Sequence, residues 1–392
     1  MKCPKCGKEN SDGSKFCANC GYDLKSIPIQ NINPKSEQDN SKTSKQSSKD
    51  IKTSEKPVKN KTNTKLILIV GALIVLVAIV GVFAISSTFS SPKPQNSAVF
   101  IVSAVSGTSI VTDPTNNKNY TVNVEYYGIS SGSGFIITGD GYIATAAHVV
   151  ADPWDISKKG VIRKMNDDDI KYYVDKAAMY IFLQKYYPEV LKNMTESDLD
   201  DLTSTFMEAG AVKATKYQHD IYIRGPAFPD SPNNPPVAKL VDMGNSENEI
   251  DVALLKVDNV YNLPALSVSS EKIEVGDDVR IYGYPMEQFA FYKDVSTTEA
   301  SDELWNSIYT ATLTQGIVSG ERPSPSGIKY YQTDAAVDSG SSGGPVCDKN
   351  GKAIGILVQG FEKQGFNFFL PTEYLIQMCN ENGISLNRGL FW

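Results

Sequence analysis

The stretch that most constrains this chain runs from Leu66 to Ile85. It holds only Leu, Ile, Val, Ala, Gly and Phe, with no charge. As a helix rising 1.5 Å per residue, such a run crosses a hydrocarbon core of about 30 Å. The segments on its two sides then cannot share one core. A cleaved leader would sit at the extreme N-terminus and end in a small-residue cleavage site. This run instead comes after a self-contained cysteine module, so it reads as a retained transmembrane helix over 65–87. Lys49, Lys52, Lys56, Lys59, Lys61 and Lys65 precede it, and only Lys93 lies close behind it. The positive-inside bias therefore predicts a single pass with residues 1–64 cytoplasmic and the remainder outside.

The cysteine module reads Cys3-Pro-Lys-Cys6-Gly and then Cys17-Ala-Asn-Cys20-Gly. Two Cys-x-x-Cys-Gly knuckles bring four thiolates toward one tetrahedral site. So short a segment buries no core, and bound Zn2+ would supply its folding energy, on the order of 10–16 kcal/mol. Residues 1–24 are expected to be a structural zinc ribbon with ligands Cys3, Cys6, Cys17 and Cys20. A redox dithiol pair or disulfide loop is the alternative. Reduced thiols agree with a cytoplasmic side. The module resembles the short zinc ribbons at the start of many prokaryotic membrane proteins. Residues 25–64, rich in Ser, Lys, Asn and Thr, are expected to be a disordered basic linker.

The rest is a different polymer. From Val99 onward, short apolar or alternating runs recur between turn signals: Val99–Val105, Tyr120–Tyr126, Gly134–Thr138, Tyr142–Ala146, Ile250–Val257, Val279–Tyr284, Gly316–Gly320, Tyr330–Thr333, Ala353–Val358 and Phe366–Leu370. This texture predicts a mainly β barrel or sandwich. A helical stretch interrupts it. Ile170, Val174, Ala177, Ala178, Ile181 and Phe182 keep helical spacing, and Pro188 ends the run. Thr195 or Ser197 caps a second helix with Leu199, Leu202 and Phe206 on one face and Gly210 beyond its end. The insertion is expected over about 157–220. A short helix is expected near Glu373–Asn382. Lys and Arg total 38 against 45 Asp and Glu, a net −7 over 392 residues. That balance argues against nucleic acid as the main partner.

Three sites carry chemistry. Gly340-Ser341-Ser342-Gly343-Gly344-Pro345-Val346 can lift one hydroxyl out of a tight turn and leave amide N–H groups above it. His148 ends Ala144-Thr145-Ala146-Ala147, beside a confined space. Asp251 leads the apolar run Val252–Val257 and wants a buried donor. The other histidine, His219, has no motif around it and reads as structural, at the exit of the insertion.

Read together, Ser131-Gly-Ser-Gly-Phe-Ile-Ile-Thr, Asp140-Gly-Tyr-Ile-Ala-Thr-Ala-Ala-His148-Val-Val, Ile250-Asp251-Val-Ala-Leu-Leu-Lys-Val and Thr333-Asp-Ala-Ala-Val-Asp-Ser-Gly-Ser-Ser342-Gly-Gly-Pro-Val resemble the trypsin-like serine peptidases of the chymotrypsin fold. Within them the chain is most similar to the Deg/HtrA-type branch. The resemblance implies a two-barrel protease domain over 97–392, carrying the helical insertion. It implies Ser342 as nucleophile, His148 as base and Asp251 as its orienting acid, with no cofactor for catalysis. The N–H groups of Gly340 and Ser342 would form the oxyanion hole. Ala336 falls at the floor of the specificity pocket, and Ile356, Leu357 and Val358 form the strand and pocket wall beside the substrate. An uncharged floor favours small or medium apolar side chains. Ser341 replaces the aspartate of secreted trypsins, so no activation by N-terminal cleavage is expected. No PDZ module is expected after the protease domain. The expected activity is endoproteolysis of polypeptide substrates, in extracytoplasmic quality control or processing. A non-catalytic peptide-binding or sensor module on the same fold, signalling to the zinc ribbon, is the alternative. Homo-oligomer formation, the role of the insertion, and pairing of Cys347 with Cys379 stay open.

Overall fold

The alternating runs close into two barrels. Closure leaves no strand edge unpaired around a ring, the simplest protection for short half-buried strands. The structure, a computed structural model, describes residues 92–229, 234–245, 250–286, 307–359 and 366–386. The chain divides into two units, residues 1–74 and 75–392, and every described residue falls in the second. The expected ribbon (1–24), linker (25–64) and transmembrane span (65–87) lie outside the described residues. Among the described residues no helix is long and apolar enough to cross a membrane, and no cluster of His, Cys, Asp or Glu could hold a metal.

After a short helix α1 (Pro94–Ser97), the first barrel uses β1 (Ala98–Asp113), β2 (Lys118–Ile136), β3 (Tyr142–Thr145), β4 (Val212–Arg224), β5 (Val237–Met243) and β6 (Ala253–Val257). They close in the order β1-β2-β3-β6-β5-β4. The second barrel uses β7 (Asp278–Gly283), β8 (Thr312–Pro323), β9 (Lys329–Thr333), β10 (Pro345–Cys347), β11 (Ala353–Gln359) and β12 (Asn367–Pro371). Its order is β10-β11-β12-β9-β8-β7.

Between β3 and β4 lie α2 (Pro153–Lys159), α3 (Asp167–Tyr186), α4 (Pro188–Leu191) and α5 (Glu196–Glu208). Local chemistry sets their ends. Asn166 and Asp169 form a reciprocal capping box at the start of α3, and Thr195 and Asp198 form another at α5; each cap is worth about 1 kcal/mol. Thr195 is thus the cap, and Ser197 lies inside the helix. Pro188 sits at the first position of α4, where its missing N–H does no harm.

The helices have a reason to be where they are. β1 and β2 are the longest barrel strands among the described residues, and their outer halves carry Val105, Val111, Val122 and Val124. Those side chains pack with Val174, Ala177, Ala178, Phe182, Leu183 and Leu199 into a core separate from both barrels. Each fully buried side chain of this size contributes about 1.5–3 kcal/mol.

Three differences from the sequence expectation emerge. The strands β4, β5 and β10 had no counterpart among the expected runs. The helices end at Glu208, so the expected boundary near 220 falls inside β4. His219 consequently lies on a barrel strand, with its Nε2 2.7 Å from Ser103 Oγ.

The largest core spans the seam between the barrels. It combines Ile101, Phe135 and Leu254 with Tyr284, Ile356 and Val358, and with Leu375, Met378 and Cys379 of the C-terminal helix α6 (Thr372–Glu381). Tyr284 is fully buried, and its hydroxyl lies 2.9 Å from Tyr309 O and 3.2 Å from Ala98 O. Cys347 and Cys379 are buried free thiols.

Candidate active site

His148 sits on a single 3-10 turn, Ala147–Val149, directly after β3. Asp251 lies two residues before β6, the strand that pairs with β3. That pairing brings strand end to strand start and sets the two side chains together. His148 Nδ1 is 2.7 Å from Asp251 Oδ2, and the His148 main-chain N–H donates to Asp251 Oδ1 at 2.9 Å. An ionised carboxylate only accepts, so Nδ1 carries the proton and Nε2 is left as the basic nitrogen. Burial presses the imidazole pKa down. The charge of Asp251 and its hydrogen bond raise it by more, so the net shift is above the ordinary 6.5.

Ser342 comes from the second barrel, in the turn that enters β10. That turn is fastened to both barrels through main chain. Gly343 N–H donates to Leu357 O at 2.7 Å, and Leu357 N–H donates to Gly344 O at 3.0 Å, stitching it to β11. On the other side, Ser133 N–H of β2 donates to Ser342 O at 2.7 Å. The turn admits only glycine at its tightest point. Gly343 has φ +85, and a β-carbon there would lie 2.1 Å from Ser133 O and 2.9 Å from Ala146 N. Gly340, at φ +92, is equally pressed against Tyr284 O, at 2.5 Å. The serine is thus held beside Ala146, just past the end of β3 and two residues ahead of the histidine.

Within the turn, Ser341 N–H donates to Asp338 O at 3.1 Å and Gly344 N–H to Ser341 O at 3.0 Å. The N–H groups of Gly340 and Ser342 take no part in these bonds. Ser341 is buried. Ala336 is exposed in the loop between β9 and β10. Ile356, Leu357 and Val358 lie on β11 as expected, but their side chains are buried in the cores. What this strand offers beside the serine is its main chain. Cys3, Cys6, Cys17 and Cys20 lie outside the described residues.

Ser133 had no assigned role at the level of sequence. It is fully buried; its Oγ donates to Gly340 O at 2.7 Å and accepts from Tyr284 N–H at 2.9 Å. Its carbonyl accepts from Thr145 Oγ1 at 2.6 Å. One first-barrel residue therefore holds both flanks of the Ser342 turn. The available signal was a serine between two glycines in a strand otherwise turning apolar.

Comparison with known proteins places this arrangement. Residues 132–356 match the trypsin-like peptidase domain. The match covers more than half of the chain, and the chain belongs to that family. Residues 2–24 match the zinc-ribbon domain. A probable periplasmic serine endoprotease DegP-like of Pseudomonas putida (strain W619) is 34% identical over 152 residues, 37% of this chain and 26% of that protein. A protein of the same description from Halomonas elongata is 30% identical over 155 residues, 38% of this chain and 29% of the relative. Protease Do-like 5, chloroplastic, of Arabidopsis thaliana is 40% identical over 81 residues, 18% of this chain and 25% of that protein. The chain thus spans about a quarter of the length of these relatives.

Proposed function

We propose that the chain is a serine endopeptidase that cleaves polypeptides through an acyl-enzyme. One observation carries the reading: the doubly bonded His148–Asp251 pair, set at a strand end against which the Ser342 turn is clamped. Ser342 Oγ attacks the scissile carbonyl while His148 Nε2 takes its proton. The same nitrogen then protonates the leaving amine, and Asp251 holds the tautomer and stabilises the imidazolium. Water repeats the sequence to release the acid. The N–H groups of Gly340 and Ser342 stabilise the oxyanion, each donor worth about 2.7–4 kcal/mol. Ala336 brings no charge of its own to the specificity floor.

The apolar span 65–87 anchors the chain, with the protease domain outside. The relatives named as periplasmic support that side. Four cysteine thiolates in two knuckles are a donor set suited to Zn2+, which Cys3, Cys6, Cys17 and Cys20 would hold as a structural ion. Extracytoplasmic quality control or processing is the matching role.

The test is fluorophosphonate labelling of the full-length chain beside Ser342→Ala. The wild type is expected to label and the variant not; an unlabelled wild type would overturn the reading.

A further inference from the structure

A cavity lies between the insertion helices and β2, the strand that also holds the Ser342 turn. Close to Ser342, β2 and the segment after His148 are in tight contact. Ser130 Oγ donates to Val149 O at 2.8 Å, and a β-carbon on Gly132 would lie 2.5 Å from Val149 Cγ2. Further out the two segments diverge. Between them opens a cavity of about 380 Å³, walled by Tyr127 and Ile129 of β2, Trp154 of α2 and Tyr173 of α3, with Lys176 and Asp200 at its back. A second cavity of about 560 Å³ continues outward, with Tyr127 and Glu196 common to both.

The clamp leaves two main-chain edges beside Ser342 along which a polypeptide can lie. Ser342 lies between β11, reached through Gly343, and β2, reached through Ser133. With the acyl side of the substrate on β11, the leaving side runs along β2. β2 pairs with β3 only over Gly134–Ile136. Below Gly134, by the alternation of a pleated strand, Ser131 turns its N–H and C=O the same way as Ser133, away from β1. A strand rises about 3.3 Å per residue, so Ile129 lies roughly 13 Å from Ser133. An extended substrate covers that distance in three to four residues.

The lining selects the chemistry. Lys176 Nζ is 2.7 Å from Asp200 Oδ1 and 3.0 Å from Glu196 Oε1. Tyr173 OH donates to Asp152 at 2.7 Å, and Lys158 lies over the Trp154 ring at 5.1 Å. Lys176 and Lys158 balance Asp200 and Glu196, so the lining carries no net charge, and Tyr127, Ile129, Trp154 and Tyr173 supply its aromatic and aliphatic part beside Ser157 and Ser197. We infer that this cavity is a substrate subsite taking an aromatic or large aliphatic side chain, three or four residues beyond the scissile bond on the leaving side. The insertion thereby makes specificity on the side opposite the Ala336 loop. The inference rests on the peptidase reading above.

The experiment profiles cleavage of a peptide library by the full-length chain, with cut sites read by mass spectrometry. Wild type is expected to enrich Trp, Phe, Tyr and Leu over Gly and Asp at the third or fourth leaving-side position, on the order of tenfold. Trp154→Ala flattens that enrichment and keeps both the acyl-side profile and fluorophosphonate labelling. Tyr127→Glu moves the preference toward Lys and Arg, a gain that misfolding cannot imitate. A flat wild-type profile with normal labelling overturns the subsite alone, as does unchanged aromatic enrichment in both variants. Absent labelling of wild type overturns the peptidase reading instead.

Discussion

Main-chain contacts set positions at the seam between the barrels. Ser133 and Leu357 grip the Ser342 turn through carbonyl and amide groups, and glycines let the backbones approach. In the helical insertion, side chains do the positioning. Arg163 reaches Asp152, Asp155 and Asp169 at once, Lys176 is buried against Asp200, and Phe182 fills the insertion core. A site fixed by backbone depends on the reacting groups, on the glycines that let the backbones meet, and on Ser133, whose hydroxyl bonds the main chain of the second barrel. A subdomain fixed by side chains can change its lining while its frame persists. The two regions should therefore fail differently, in rate on one side and in stability on the other.

The sharpest separation comes from Ser342→Ala. It should lower kcat by on the order of 10⁶ while leaving the urea midpoint unchanged. Next, Asp251→Asn should lower kcat by about 10⁴, since it permits the wrong imidazole tautomer. The pH profile tests the same pair. Catalysis needs neutral His148, whose pKa is raised above 6.5, so kcat/KM should fall on acidification through a value above 6.5. Asp251→Asn should move that limb to lower pH. The matching stability contribution of the imidazolium–carboxylate pair is present below 6.5 and is lost as pH rises through the raised value.

On the other side of the comparison, Phe182→Ala should destabilise by about 3–5 kcal/mol in urea unfolding and still label with fluorophosphonate. Arg163→Ala should cost about 3 kcal/mol, at the low end for a buried pair because the guanidinium is a third exposed. Loss of labelling in Phe182→Ala protein that remains folded would break the separation. The smallest effect at neutral pH is at His219, whose pKa burial lowers to about 4. Between pH 6.5 and 4 only the unfolded chain takes up that proton, so stability falls on acidification. His219→Gln should flatten the acid limb of a pH–melting curve.

Chemistry made the seam legible in the sequence. His148 comes after a run of small residues because close backbone approach leaves no room for larger ones, and Gly343 is forced by its positive φ. The helices of the insertion were legible from spacing and caps, down to Thr195 and Pro188. β4 was not. Its outer end, Lys213–Gln218, is largely exposed and alternates poorly, and only Val212, Ile221 and Ile223 of the strand are buried. Its partner across the sheet, β1, decides its conformation. β10 is three residues long, too short for any period to show. The role of Ser133 was hidden because its partners are main-chain atoms more than 150 residues away in the second barrel.

The length of β1 has a consequence for engineering. The strand starts at Ala98 in the seam core and ends at Asp113 beyond Val111 in the insertion core. Excising residues 153–208 would strip the cover from Val105, Val111, Val122 and Val124. It would leave the apolar face of the β1–β2 ribbon in water, the kind of surface that drives insoluble aggregation. A minimal protease cannot be made from this chain by trimming the helices alone; the hairpin under them must be shortened in the same step.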